Sequence, residues 1–384
     1  WFESTPRYQK KMLNLKKIFQ IYLKSVGYFL FKILYGKIES IITPENEDGI
    51  TVNSVKKNDK FLYKIYKLSN GRLYTNRVSD TAVIKNNKIV EGASFQFRTI
   101  NSEVVNAKIN ENLVFKHGTP RLQKKLQGKV LSLLTGGGGN ENYWHWIFDV
   151  LPRLGICENV INIDSIDFFL VPNNKRKFQI ETLEILKIPK KKQISSIEYR
   201  HIMAKDLYVT SHPVALSDNS TEGILNIPAW ISEWLKKKFF KNNLKNKENF
   251  SKKIYLDRSD SKSNVKSLRS ITNEEEVRSY LKSEGFKSVK LADLHFKDQV
   301  LAFSEADIIV GLHGAGFANM PFCKPNTKIV ELKANPLDDV IKNLAITNNL
   351  KHRPIDCALN EIKQHNQFGH VKVPIKELDR ILKV

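Results

Sequence analysis

The stretch Asp307–Met320, DIIVGLHGAGFANM, decides how the second half of this chain folds. DIIV has the length and β-branched character of a buried strand. Gly311, Gly314 and Gly316 follow around His313, and an apolar segment predicted to be helical comes after them. A strand entering a glycine-rich turn and then a helix is the building unit of an open parallel sheet. Such sheets bind ligands beyond the carboxyl ends of their strands, where amides point at anionic groups. The glycine spacing is not G-x-G-x-x-G and no Walker lysine follows, so neither the dinucleotide nor the P-loop fingerprint applies. What the turn predicts is an anionic ligand.

The same alternation continues on both sides. Ile254–Leu256, Ser288–Leu291 and Lys328–Leu332 (KIVEL) read as strands, and Lys297–Ser304 and Asp338–Thr347 as helices. Thr272 with Glu275 forms a T-x-x-E capping box opening a helix that stops near Gly285. Glu331, at the end of KIVEL, stands where a carboxylate takes ribose hydroxyls. Arg258 follows the domain's first strand and Arg269 lies in the same loop, where a guanidinium meets a phosphate.

The charged, weakly periodic run Lys236–Lys253 marks a domain boundary. Before it, Val130–Leu134, Phe168–Val171 and Asp206–Thr210 read as strands, with helices from Asn142, over Phe178–Leu186 and over Pro228–Phe240. Thr81–Glu91 is predicted to be a hairpin turning at Asn86–Asn87. Residues 43–80 are polar with weak periodicity and read as an accessory segment. The expected architecture is α/β: residues 81–240 and 241–384 as two Rossmann-like domains facing a cleft, preceded by residues 1–80.

Residues 12–36 are predicted to form an amphipathic helix. Lys17, Gln20, Lys24, Ser25, Gly27 and Lys32 fall on one side, and a wide aromatic-aliphatic face from Ile18 to Leu34 on the other, with Ile21, Tyr28 and Phe31 intruding on the polar side. This suits either a helix lying on an anionic membrane surface or one docked on its own protein.

The second block is GGGGNENYWHWIFDVLPRLGI, residues 136–156. His145, Asp149 and Arg153 recur every four residues along one helix face, and Pro152 is expected to make that helix irregular. An Asp beside a His serves as a general base, or orients a basic imidazole. Trp144 and Trp146 are candidates to stack on a sugar ring.

Composition narrows the function classes. The chain carries a net charge of +22, but as 49 Lys against 13 Arg. Base readout and bidentate phosphate grip favour arginine, so the excess reads as solubility and membrane-surface attraction, not nucleic-acid binding. Cys157, Cys323 and Cys357 show no close pairing and no zinc-ligand spacing. No D-x-D triplet is available to hold a divalent ion against a diphosphate, and no G-x-S-x-G elbow is present.

Taken together, NYWHWIFDVLPRL, the RSD…R-x-I-x-NEEEV segment and GLHGAGFANMPFCKPNTKIVEL, in this order between about residues 88 and 350, resemble glycosyltransferase family 61. That family includes bacterial polysaccharide-synthesis enzymes and eukaryotic xylosyl- and N-acetylglucosaminyl-transferases. The resemblance implies a GT-B pair of domains and inverting, metal-independent transfer from a nucleotide-sugar donor to a glycan or lipid-linked glycan acceptor, with no cofactor. It implies Asp149 or His145 as the base, the choice staying open, and Trp144, Trp146 and Arg153 on the acceptor side. Donor-side residues would be Arg258, Arg269, His313, Gly314, Ala315, Gly316, Asn319 and Glu331. The expected setting is surface-polysaccharide synthesis at the cytoplasmic face of the membrane. The alternative is a glycan- or nucleotide-binding module of the same fold without catalysis.

Overall fold

The computed structural model describes residues 6–58, 60–77, 79–100, 103–134, 142–215, 220–240, 250–258, 269–334, 339–359 and 370–383. Gly136–Gly139 and residues 241–249 of the expected linker lie outside the described residues. Two sheets organise the mixed α/β fold.

The first sheet comprises β1 (Ser40–Ile42), β2 (Ile50–Lys57), β3 (Phe61–Thr75), β4 (Asp80–Lys85), β5 (Lys88–Val90), β6 (Phe95–Ile100), β7 (Glu103–Asn106), β8 (Lys124–Ser132), β9 (Phe168–Val171), β10 (Gln193–Ser195) and β11 (His201–Thr210). Within it β10-β9-β8-β11 are parallel neighbours, the order 3-2-1-4 in chain sequence, and winding reverses between β8 and β11. Only this part is Rossmann-like. On its far side β3 joins β11 antiparallel, from Tyr74 opposite His201 to Ile65 opposite Thr210.

The accessory reading of residues 43–80 is therefore corrected, because they supply β2 and the central β3. Tyr63 and Ile65 pack into one hydrophobic cluster, while Tyr66, Leu68 and Leu73 pack into another on the opposite face. A strand buried on both faces has no period-two pattern. Lys64 and Lys67 break the apolar run further by reaching out to Glu45 and Asp206. A boundary at residue 80 would separate β3 from its sheet neighbour β4. The predicted hairpin is present as β4 and β5, with Asn86 and Asn87 both at positive φ (49° and 57°).

The second sheet comprises β12 (Lys253–Leu256), β13 (Lys287–Val289), β14 (Ile308–Leu312), β15 (Lys328–Ala334), β16 (Lys351–Leu359) and β17 (Val371–Lys372). Its order is β13-β12-β14-β15-β16-β17, with only β17 antiparallel. This is the doubly wound order 2-1-3-4-5, whose switch point lies between β12 and β14. The capping box is not formed. Asn273 is the residue before the helix Glu274–Ser283, and Thr272 Oγ1 instead donates to the Val371 carbonyl.

Helix Ala229–Phe240 includes the first lysines of the expected linker and ends on the second sheet's helices. Phe239 meets Phe296 at 4.9 Å between ring centroids and Phe322 at 6.3 Å. One hydrophobic cluster consequently runs through both halves. Cys157, Cys323 and Cys357 are free and buried. The N-terminal helix spans Pro6–Tyr35, and among the described residues no helix is long and apolar enough to cross a membrane.

Candidate functional site

The switch points of the two sheets hold two clusters of the same composition. The first grows from the helical segment after β8. Asn142 caps it by accepting from the Trp144 amide. Pro152 has no N–H to donate, and the turn before it, Trp146–Val150, widens into a π segment with the Leu151 amide on the Trp146 carbonyl. This irregular turn carries His145 and Asp149 inward together.

His145 Nδ1 lies 2.6 Å from Asp149 Oδ2. The His145 side chain is 23% exposed and that of Asp149 only 5%, so the imidazole is the member of the pair that reaches solvent. Burial disfavours a charged His145, but the charge and hydrogen bond of Asp149 outweigh it and raise its pKa above the ordinary histidine value. Burial also opposes ionised Asp149, and His145, His212 and Arg153 overcome it to hold the carboxyl below its usual range.

His212 was not anticipated. It lies just beyond β11, with Nε2 3.9 Å from the same Asp149 oxygen. Its Nδ1 accepts from the Val214 and Ala215 amides at 3.2 and 2.9 Å, which places the proton on Nε2, facing Asp149. Burial pushes its pKa down to about 3, so it is neutral. The signal in the sequence was a histidine directly after a strand, in DLYVTSHP, at the carboxyl edge where such sheets bind ligands.

Three expected acceptor-side residues are corrected. Arg153 is fully buried and donates to the Asp149 carbonyl at 3.1 Å and to the Thr210 carbonyl and hydroxyl, tying the segment to the end of β11. Trp146 is buried with its Nε1 on Thr182 Oγ1 at 2.9 Å. Trp144 is buried against Phe148. All three are buried side chains with partners inside the protein, and none presents a face to a sugar.

The second cluster lies at and beside the β12–β14 switch point. Arg258 and Arg269 each donate through Nη1 to the His313 carbonyl, at 2.8 and 3.1 Å. Gly314 leaves room for this grip, since a Cβ on it would come within 2.6 Å of the Arg258 guanidinium and push it aside. A recess lined by Leu256, Arg258, Ser270 and Leu312 opens at the same strand ends. Ala315–Phe322 forms a 3₁₀ helix containing Pro321, and the Phe317 amide closes onto the Gly314 carbonyl. The amides of Gly314, Ala315 and Gly316 head this turn.

Glu331 does not stand open for a ribose. It is 1% exposed, with one oxygen on His313 Nδ1 and the other on His352 Nε2 at 2.6 Å. Burial would raise its pKa, but the two imidazole hydrogen bonds bring it down to about 2. Asn319 is likewise buried and donates to Gln299 and the Gly316 carbonyl, while its Oδ1 accepts from Tyr143 Oη at 2.7 Å. That last bond joins the two blocks, and the short helix Tyr143–His145 packs directly on Ala315–Phe322. Among the described residues no group of three or more His, Cys, Asp or Glu side chains is arranged to hold a metal ion.

The span from Tyr143 to Val330 contains the base-like dyad, the glycine turn and the bond between them. Residues 143–330 match the family model described as Glycosyltransferase 61, and through this region the chain belongs to glycosyltransferase family 61. No curated protein matches the chain.

Proposed function

We propose that the chain is an inverting glycosyltransferase that moves a sugar from a nucleotide-sugar to a glycan acceptor, with the two sheets as acceptor and donor halves of a GT-B arrangement. The observation that supports this reading is the Tyr143–Asn319 bond, which brings the dyad of one switch point beside the glycine turn of the other.

In this reading His145 is the base and Asp149 orients it. With Nδ1 held by Asp149, the imidazole's Nε2 edge removes the acceptor hydroxyl proton. The acceptor oxygen bonds to the anomeric carbon as the carbon–oxygen bond to the diphosphate breaks on the opposite face, and the proton remains on His145. The resulting imidazolium is stabilised by the Asp149 carboxylate, with His212 supporting that carboxylate from behind. Arg258, Arg269, His313 and the amides of Gly314–Gly316 receive the leaving diphosphate without a metal. A bacterial setting in surface-polysaccharide synthesis, with a glycan or lipid-linked glycan acceptor, accords with the lysine-rich composition and the family.

The test is a thermal-shift screen of nucleoside diphosphates and nucleotide-sugars, followed by turnover of the best stabiliser. Stabilisation by a nucleotide-sugar, with diphosphate release lost in His145→Gln, is expected. Stabilisation without turnover across a broad acceptor panel would reverse the reading in favour of a binding module.

A further inference from the structure

The N-terminal helix docks on the body through its polar stripe and leaves its apolar face outward. Tyr35 Oη accepts from the Gln123 amide at 2.9 Å, and its carbonyl accepts from Arg72 at 3.1 Å. Lys32 Nζ donates to the Lys116 carbonyl at 2.8 Å, and Tyr28 lies over His117 at 4.4 Å between ring centroids. On the opposite side Phe19, Tyr22, Leu23, Phe29, Leu30 and Ile33 each keep more than half of their surface exposed. At 100° per residue the apolar side from Ile18 to Leu34 covers about 160° of the helix, centred roughly opposite the docked stripe. Contiguous apolar surface of this kind on a docked, fixed element marks an interaction site.

Charge indicates what covers it. A cavity of about 390 Å³ lies behind the helix, lined by Lys24, Tyr28, Tyr74, His117, Arg121 and Arg200 among others. Among the described residues no carboxylate lies within ion-pair distance of Lys24, Arg121 or Arg200. Lys24 belongs both to this cavity and to the helix, so the basic cluster lies along the polar, docked side of the helix. A stripe this wide also exceeds the narrow seam through which two helices pair.

We propose that this helix lies in the surface of an anionic phospholipid bilayer, with its Phe19–Ile33 face among the acyl chains and the basic side chains on the protein side of the helix, Lys24, Arg121 and Arg200, supplying electrostatic attraction to the anionic headgroups. The protein body then sits on the water side, because the docked stripe is the one that faces away from lipid. A basic polar side combined with a large aromatic-aliphatic side is what interfacial binding requires. The proposal does not depend on the transferase reading, and its readout is not turnover.

The experiment is vesicle flotation of the full chain with phosphatidylcholine alone and with phosphatidylcholine plus phosphatidylglycerol. Binding is expected to the anionic vesicles, at least tenfold stronger than to the neutral ones and weakened by added salt. The variant Phe19→Glu/Leu23→Glu/Phe29→Glu should lose it by at least tenfold with an unchanged melting temperature, since these side chains are exposed. Arg121→Gln/Arg200→Gln should narrow the difference between the two vesicles. Three results would overturn the proposal. One is absence of wild-type binding to the anionic vesicles, and another is undiminished binding by the triple variant. The third is a dimer, seen by analytical ultracentrifugation, that the triple variant dissolves in place of any vesicle effect. A melting shift with inorganic phosphate, lost in Arg121→Gln/Arg200→Gln and unaccompanied by flotation, would assign the cavity to a soluble anion instead and would also refute it.

Discussion

Asp149 and Glu331 are the same device used in two ways. Each is a buried carboxylate between two imidazoles, His145 and His212 in one sheet, His313 and His352 in the other. Around Asp149 one imidazole is partly exposed and one oxygen faces both histidines. Around Glu331 both oxygens are occupied and all three side chains are nearly enclosed. In the proposed reading, exposure of the partner separates the two: His145 reaches solvent and can take a proton, whereas Glu331 chiefly fixes His313 and His352 in place.

Breaking the first cluster should have the largest effect. Asp149→Asn should lower nucleotide-sugar turnover by about 10³-fold while leaving the fold intact. It also sharpens the comparison through pH. A base with a raised pKa is active only above that value, so the wild-type rate should rise with pH on a limb above the ordinary histidine pKa. Without the Asp149 charge, the residual limb should move to lower pH. An unshifted limb would falsify the relay.

Glu331→Gln should act mainly on stability, by about 3 kcal/mol in chemical denaturation, because both imidazoles lose a buried charged partner. Its acid behaviour distinguishes it further. The folded pKa, about 2, lies below the unfolded 4.5, so the stabilisation is complete above about pH 4.5 and lost as pH falls toward 2. The variant should lack that dependence, and denaturation midpoints recorded between neutral and acid pH measure it. Identical curves would show that Glu331 carries no such charge.

His212→Phe should lower kcat by about tenfold with KM little changed, about 1.4 kcal/mol in the barrier, since it removes only the support behind Asp149. A KM effect without a kcat effect would place His212 in substrate binding. The smallest expected change is Tyr143→Phe, which leaves the buried Asn319 oxygen without its donor. The expected cost is about 1 kcal/mol, read as a lower melting temperature with only a few-fold loss of turnover.

Much of the second sheet was legible because its strands are short apolar runs separated by helices of matching length. The hairpin was legible because two asparagines in succession tolerate positive φ. β3 was not, since burial on both faces erases alternation. Within the sites, His145, Asp149 and the His313 turn were readable as local patterns. The partners of Glu331 were not. His352 reaches it from β16, where strand register sets Ile329 opposite His352, and no local spacing encodes that. Trp144, Trp146 and Arg153 misled for a related reason: their types suit a sugar site, but tertiary partners such as Phe148, Thr182 and Thr210 decide which way they face.

The aromatic seam of Phe239, Phe296 and Phe322 has a thermodynamic consequence. It should couple the two sheets into a single cooperative unit, and calorimetry is then expected to record one melting transition, not two. A nucleotide seated on the second sheet would then protect the first sheet's amides from hydrogen exchange as well. Neither half, expressed alone, would have anything to cover the rings it contributes.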